Sequence, residues 1–391
     1  MKKYFFHFLA MSMAMVLMLS GCIEEYEADI TAEDSDLLVV EGAICSGTLN
    51  KFYLSRTQAL RSSSTPRMVT GATVLVRGSD GSEYKAQAAD GYYACQIEAL
   101  EPDVAYYLHI ETDGEVYESD PLKPLRTEEI ADVVGVQNTP ESNIDVLVTP
   151  AEPFAPDKVN YYSWTYDETW EVHPQYTTYL YYDTQKMSPV VKVGLFPSRG
   201  WKDATGSTIM VGTSQNYEGQ HIRSLKLYDI DRGSERMYYK YSTLVRQRAI
   251  TKAEYNYELA RRQASSEMGG LFTPLPSALP TNIHCLTSRK HVIGFVGCTL
   301  NSTEYRVFFK AMDYSIARPP YNDTRRWIEN PSSSTCCKLV EEGMYLCEWD
   351  ADEMTPEGDP LIRTAWAYDY QLDVRLRGAY AEEPDFWEND N

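Results

Sequence analysis

Short segments in which apolar and polar residues alternate dominate residues 37–126. In Gly71–Arg77, for example, Val74 and Val76 fall on one side of the chain, a period of two that is typical of a half-buried strand. Turn sequences such as Asp90-Gly91 separate successive segments. We therefore predict that residues 37–126 form a β-sandwich domain.

The stretch Gly71–Ser119 resembles carboxypeptidase-regulatory-like and related immunoglobulin-like modules.

Pro121 and Pro124 mark a linker, and residues 127–391 are predicted to form a second, larger β-rich domain. Its predicted strands are Asn143–Val148, Asn160–Trp170, Tyr176–Tyr182, Val190–Phe196, Thr208–Val211, Ile222–Ile230, Met237–Ile250, Ile283–Thr287, Val292–Leu300, Glu304–Ala311, Ala365–Gln371 and Asp373–Gly378. The fold class is thus mainly β.

One segment of the second domain has a helical pattern. Thr251 and Glu254 form a capping-box sequence, and a helix over residues 252–267 is expected to end before Gly269-Gly270. One face of the predicted helix carries small and aromatic residues, including Tyr257. This face is better suited to packing against the sheet than to binding a partner in a groove.

The N-terminus has a different pattern: Lys2 and Lys3 precede an apolar run over Tyr4–Leu19. A basic start, a short apolar region and small residues indicate a secretory signal peptide, here residues 1–21. Because Cys22 directly follows Leu19-Ser20-Gly21, the pattern predicts a lipoprotein whose Cys22 carries diacylglycerol and usually a further acyl chain such as palmitate. Two or three acyl chains hold a protein on a bilayer. An uncleaved membrane helix is the alternative, but the apolar run is shorter than the roughly 20 residues that spanning requires.

Residues 22–36 are acidic and are predicted to be a solvated tether. An acidic run directly after a lipidated cysteine also resembles the signal that sends Bacteroidota lipoproteins to the outer cell surface.

The formal charge of −21 limits the choice of partners. Removing residues 1–21 takes away only Lys2 and Lys3, so the remainder carries −23. This charge argues against nucleic acid as a partner, because phosphate binding requires many lysines and arginines.

Cysteine usage predicts disulfides, since exported proteins can keep them. With Cys22 used for lipid, seven of the eight cysteines remain. Cys337 and Cys347 flank a predicted hairpin centred near Glu342-Gly343 and would face each other. Cys285 and Cys298 flank a second turn, and Cys45 with Cys95 is the third pair by elimination. A zinc site at His284, Cys285, His291 and Cys298 is a weaker alternative.

The sequence contains no recognisable catalytic or nucleotide-binding motif, so we predict neither an enzyme nor a cofactor or metal. The acidic pair Asp229 and Asp231, and the run from Asp350 to Asp359, lack EF-hand spacing and fit exposed loops better than calcium sites. A carboxylate pair for glycoside hydrolysis has no support, although its members need not be close in sequence. Tyrosines and tryptophans fit either core packing or contact with sugars or peptides; the tryptophans considered are Trp164, Trp170, Trp201, Trp327 and Trp366.

Several short stretches together resemble a known family. They are Leu38-Val39-Val40-Glu41-Gly42, Asn160-Tyr161-Tyr162, Gly270-Leu271-Phe272 with Pro274 and Pro276, Asn282-Ile283, Ile293-Gly294-Phe295, and Pro384-Asp385-Phe386-Trp387. In this order they resemble the Bacteroidota lipoprotein family catalogued as domain of unknown function 4249. Where that family often has Cys-x-Asp-Cys, this chain has Gln371 and Val374 around Asp373. The resemblance implies an exported, β-rich lipoprotein, often encoded near TonB-dependent outer-membrane transporters.

These observations lead us to expect a lipoprotein anchored in the outer membrane. They favour the cell surface over the periplasmic face. We expect a non-catalytic accessory or ligand-capture subunit, associated with a TonB-dependent transporter. A carboxylate-dependent hydrolase of glycans or peptides and a structural or adhesion component are the alternatives.

Overall fold

The computed structural model describes residues 36–57, 67–207, 209–267, 279–354, 358 and 360–387. The predicted signal peptide, Cys22 and nearly all of the tether lie outside these ranges. None of the helices in the described ranges has both the length and the apolarity needed to cross a bilayer.

The elements confirm a mainly β fold. The first strands are β1 (Leu38–Glu41), β2 (Ala43–Cys45), β3 (Thr48–Arg56), β4 (Arg67–Met68), β5 (Thr73–Gly78), β6 (Glu83–Lys85), β7 (Gln87–Ala89), β8 (Tyr92–Ile97), β9 (Tyr106–Thr112) and β10 (Glu115–Ser119). Next come β11 (Ile130–Val136), β12 (Ile144–Pro150), β13 (Tyr161–Val172), β14 (Leu180–Asp183), β15 (Ser188–Val191), β16 (Gly200–Thr205), β17 (Met210–Thr213), β18 (Leu225–Ile230), β19 (Lys240–Ala249) and helix α1 (Lys252–Glu267). The remainder comprises β20 (Ile283–Cys285), β21 (Val292–Gly294), β22 (Gly297–Thr299), β23 (Thr303–Lys310), β24 (Arg326–Glu329), α2 (Ser333–Glu341), β25 (Met344–Met354), β26 (Pro360–Tyr368) and α3 (Asp369–Leu372).

Two sheets build the first unit, and both use strands from far along the chain. One sheet has the order β21-β1-β3-β8-β7 and the other β20-β10-β9-β5-β6. Alternate residues such as Val40, Leu54 and Ile110 fill the core between them. The sequence predicts that Ile283–Thr287 and Val292–Leu300 belong to the second domain, but strand pairing places β20, β21 and β22 in the first unit. Local periodicity reveals a strand but not its partner, which explains the difference.

The second unit packs the sheet β11-β12-β18 against the sheet β16-β13-β19-β23. Trp164, Tyr241 and Val245 lie in the core between these sheets and are fully buried. The long strands β13 and β19 pair continuously from Tyr162 to Trp170, so one rigid ribbon spans the unit.

A third, smaller unit consists of the sheet β24-β26-β25, the hairpin β14–β15 and helix α2. The predicted cysteine hairpin is wrong here, because residues 333–341 form α2. The Ser332 hydroxyl accepts a hydrogen bond from Thr335 N at 3.2 Å and caps the helix. Leu339 on α2 packs against Trp366 of the sheet. The predicted strand over residues 373–378 is also wrong, since a 3₁₀ turn over Val374–Arg377 occupies this segment directly after α3.

Helix α1 forms where the sequence predicts it. The Thr251 hydroxyl accepts from Glu254 N at 3.1 Å, as a cap does. The Glu254 carboxylate does not complete the box but binds Arg248 of β19 at 2.5 Å. Tyr257 is buried against Phe295, with ring centroids 5.6 Å apart. Tyr257 therefore serves packing.

The chain passes from the first unit to the second twice, near Thr127 and again near Asn301, and these two crossings bind each other. Thr127 N donates to the Asn301 side-chain oxygen at 2.9 Å, and the Asn301 amide donates to the Thr127 carbonyl at 2.9 Å. The Thr127 hydroxyl donates to the Asn301 carbonyl at 2.7 Å. Leu125 N also donates to the Cys298 carbonyl at 3.0 Å. The predicted linker is thus a hydrogen-bonded junction.

We expect Asn301→Ala to lower the free energy of unfolding by about 1–3 kcal/mol, because it leaves Thr127 N and the Thr127 carbonyl without these partners. Urea denaturation measures the change. Asn138→Ala is the matched control, since this exposed amide makes one 3.4 Å contact with Asp145. We expect it to stay within about 0.5 kcal/mol of the parent protein. Equal stability losses in the two variants would contradict the assigned role of the junction.

Candidate functional site

A cleft lined by aromatic and cationic side chains opens on the second unit. It has two adjoining lobes of about 370 and about 500 Å³ that share Tyr238, Tyr239 and Arg318. We call it the aromatic cleft and define it by His173, Tyr238, Tyr239, Arg318, Tyr321 and Arg377. A concave surface with ring faces and a few converging polar groups is the usual form of a small-molecule site.

The end of β13 and the start of β19 fix the wall of the cleft. His173 follows β13 directly, and its ring stacks on Tyr239 with centroids 3.7 Å apart and planes 10° apart. The 3₁₀ turn Glu235–Met237, capped by the Ser234 hydroxyl, leads into Tyr238 and buries Met237 in the core. The paired rings are therefore held by buried structure, while Tyr239 stays about one-third exposed.

Two guanidinium groups border these rings. Arg318 lies over Tyr239, 5.2 Å from the ring centroid, and donates to the carbonyl of Tyr238. Arg377 donates to the carbonyl of His173. In the described part of the chain neither group forms an ion pair with a carboxylate, so both retain a net positive charge at the cleft.

The carboxylates of the cleft are already engaged. Glu171 accepts from His173 Nε2 at 2.5 Å, and Glu235 binds Lys202 Nζ at 2.6 Å. The hydrogen bond from His173 lowers the pKa of Glu171, although burial opposes it. A general acid for glycoside hydrolysis needs a raised pKa, so Glu171 does not suit that role. The cleft offers cations and ring faces, which suit binding of an organic anion.

A larger cavity, of about 580 Å³, lies near the junction between the first two units. Apolar groups such as Leu122 and Phe295 line it. Its buried amide, Asn282, is held by the backbone of Val296, to which it donates at 2.8 Å and from which it accepts at 2.9 Å. We therefore regard the aromatic cleft as the better candidate.

The six predicted disulfide cysteines are free thiols in the structure, so the three predicted bridges are wrong. Cys337 lies on α2 beside Met187, whereas Cys347 lies on β25 in a separate cluster. Cys285 is on β20, which pairs with β10, and Cys298 is on β22, which pairs with β2. Cys45 and Cys95 are buried on either side of Asn50, whose amide contacts both backbones.

Residues of the alternative zinc and calcium sites bind other side chains instead. His284 binds Asp120 at 3.0 Å, and Asp229 accepts from Asn143 at 2.8 Å. No group of three or more metal-ligating side chains occurs among the residues described. Four of the five tryptophans considered above are buried, and Trp327 is the exception at 45% exposure.

No local sequence pattern predicts the residues of the aromatic cleft. They come from the ends of two strands and from loops that are distant in sequence, and none belongs to a local motif. The abundance of tyrosine was the one available signal, but it does not distinguish surface rings from core rings.

We expect Cys285 to be alkylated first by iodoacetamide at about pH 7.5, at least about tenfold faster than Cys298 or Cys347. Burial raises the pKa of the Cys285 thiol, but contacts with the Ser288 and Thr287 hydroxyls outweigh it and bring the pKa below its usual value. Burial raises the pKa of Cys298 and of Cys347 to about 12. Peptide mass mapping measures the rates, and Cys285→Ser serves as the control. Bridged peptides in the unreduced protein, or equal rates, would contradict this assignment.

No curated protein matches the chain. One family model does match, over residues 23–305, which is more than half of the sequence. The matched range contains the first unit and most of the second, including β13 and β19, and it ends within β23. Arg318, Tyr321 and Arg377 therefore lie beyond it. The family is described as having unknown function, so membership assigns no catalytic role. By this match the chain belongs to the family described as domain of unknown function 4249 (DUF4249).

Proposed function

We propose that this protein is a non-catalytic, lipid-anchored capture subunit of the outer membrane that binds a small organic anion in the aromatic cleft. The observation that carries the proposal is the pair of guanidinium groups, Arg318 and Arg377, held beside the stacked rings of His173 and Tyr239 without carboxylate partners among the described residues.

The charge balance supports an anionic ligand. The chain as a whole carries −21, so its overall field repels anions. Arg318 and Arg377, which have no carboxylate partner in the described part of the chain, therefore make the cleft a local exception that favours an anion. Guanidinium groups bind carboxylates and phosphates through paired hydrogen bonds, and the adjacent ring faces can hold the flat or apolar part of the ligand.

The proposed anchor rests on the sequence of residues 1–22. The family match begins at residue 23, directly after Cys22, in agreement with a leader that is separate from the family domain. A lipid on Cys22 would hold the cleft close to the membrane. Capture next to a TonB-dependent transporter would then raise the ligand concentration at the transporter, as linked binding sites do.

We expect Cys22→Ala to move the protein from the membrane fraction to the soluble fraction, because no acyl chain would then hold it. The parent protein should show an acylated N-terminal Cys22 by mass spectrometry. After mild detergent extraction we expect an outer-membrane transporter to co-purify with the parent protein. A bare Cys22 thiol would contradict the proposed lipid anchor. Repeated purification without any such transporter would contradict the proposed partner.

For the cleft, hippurate is a suitable probe because it joins a carboxylate to an aromatic ring. We expect Arg318→Gln to weaken hippurate binding by about tenfold, the effect of losing one charge-assisted contact. Titration calorimetry measures the affinity. Arg223→Gln is the matched control, since Arg223 is an exposed arginine outside the cleft and its substitution makes the same charge change. Equal losses in the two variants would show that only net charge matters, and no binding to the parent protein would refute the assigned ligand class.

A further inference from the structure

The outer face of the three-stranded sheet carries an exposed tryptophan among charged side chains. Pairing places Trp327 of β24 opposite Ala365 of β26, and Glu329 opposite Arg363. Since side chains alternate along a strand, these four residues share one face. The opposite face packs Ile328 and Trp366 against α2.

Trp327 is held in place although it is exposed. Its Nε1 donates to the Asp323 carboxylate at 3.0 Å. The Arg325 guanidinium lies between two rings, 4.8 Å from the centroid of Trp327 and 5.0 Å from that of Tyr176. Arg325 is itself fixed by Asp323 at 2.8 Å and Glu348 at 2.9 Å. The orientation of the indole is therefore set before any ligand arrives.

This exposure sets Trp327 apart from the other tryptophans of the chain. Trp164, Trp170, Trp201, Trp366 and Trp387 are buried, and Trp349 is partly buried. Leaving a large ring half in water forgoes the stabilisation that burial of its surface would give. A network of hydrogen bonds that positions the ring on the surface is consistent with a contact surface rather than with core packing.

Glu329 and Arg363 lie beside the ring and form an exposed pair at 3.4 Å. Together with Trp327 they line a shallow cavity of about 340 Å³. Both side chains remain about half exposed, so the Glu329 carboxylate can accept hydrogen bonds next to an aromatic face. This set matches a pyranose, whose C–H face can lie on the indole while a neighbouring hydroxyl donates a hydrogen bond to the Glu329 carboxylate.

We propose that this face, defined by Trp327, Glu329 and Arg363, binds a neutral saccharide. The inference is separate from the aromatic cleft and does not require that the cleft bind an anion. A peptide that adds to the free edge of β24 is the competing occupant. The saccharide is favoured because the ring lies on the face of the sheet, whereas charged residues at an edge strand oppose pairing with another strand.

The test uses the whole protein and a panel of neutral oligosaccharides, namely cellohexaose, xylohexaose and mannohexaose. We expect at least one to bind the parent protein with millimolar or tighter affinity in titration calorimetry. Trp327→Ala should weaken that binding at least about tenfold, while Trp327→Phe should retain part of it. Glu329→Gln should also weaken binding, because an amide accepts fewer hydrogen bonds than a carboxylate.

Phe154→Ala is the matched control, because Phe154 is a similarly exposed ring that lies under Arg126, away from this sheet. It should bind as the parent does. Near-ultraviolet circular dichroism checks that each variant is folded. If Trp327→Ala does not fold, the Trp327→Phe and Glu329→Gln variants decide the result. Absence of binding to all three oligosaccharides, undiminished binding by Trp327→Ala, or binding only of extended peptides would overturn the proposal.

Discussion

The double crossing between the first and second units is the constraint on which the rest of the structure depends. Thr127 and Asn301 lie 174 positions apart in the chain and share three hydrogen bonds. Because β20, β21 and β22 return to the first unit, its core is complete only when residues on both sides of the second unit are in place. The two units therefore depend on each other, and contacts of such long range form late in folding.

Buried polar groups next to the junction make its geometry specific. Gln247 is fully buried, donates to the Glu128 carbonyl at 2.7 Å and accepts from Trp164 Nε1 at 2.9 Å. The Thr303 hydroxyl donates to the same carbonyl at 3.0 Å. Since unpaired buried polar groups are costly, a shift of either crossing would break several bonds at once. The ribbon of β13 and β19, whose ends form the wall of the aromatic cleft, is tied to this network.

The two proposed binding surfaces share one stretch of chain. Arg318 and Tyr321 belong to the aromatic cleft, and Trp327 to the saccharide face. Between them, the Thr324 backbone and the Asn322 carbonyl bind the Tyr176 hydroxyl, at 2.6 and 3.3 Å. All these residues except Tyr176 lie beyond the range that the family model matches. A shared scaffold that carries ligand contacts on loops and an edge strand is a common arrangement, because such positions tolerate change.

Sequence patterns alone determined the β class, most strands of the first unit and the capped helix α1, because each depends on neighbours within about ten residues. The family resemblance came from short motifs in a fixed order along the chain. They failed where a local pattern fits two structures, as with Cys337 and Cys347, where a capped helix replaced a predicted hairpin. Which strands pair, which tryptophan stays exposed and which arginines lack carboxylate partners were decided by the tertiary structure alone. These properties depend on contacts between residues that are distant in sequence, such as Leu38 with Val292 or Arg377 with His173, which leave no periodic trace in the chain.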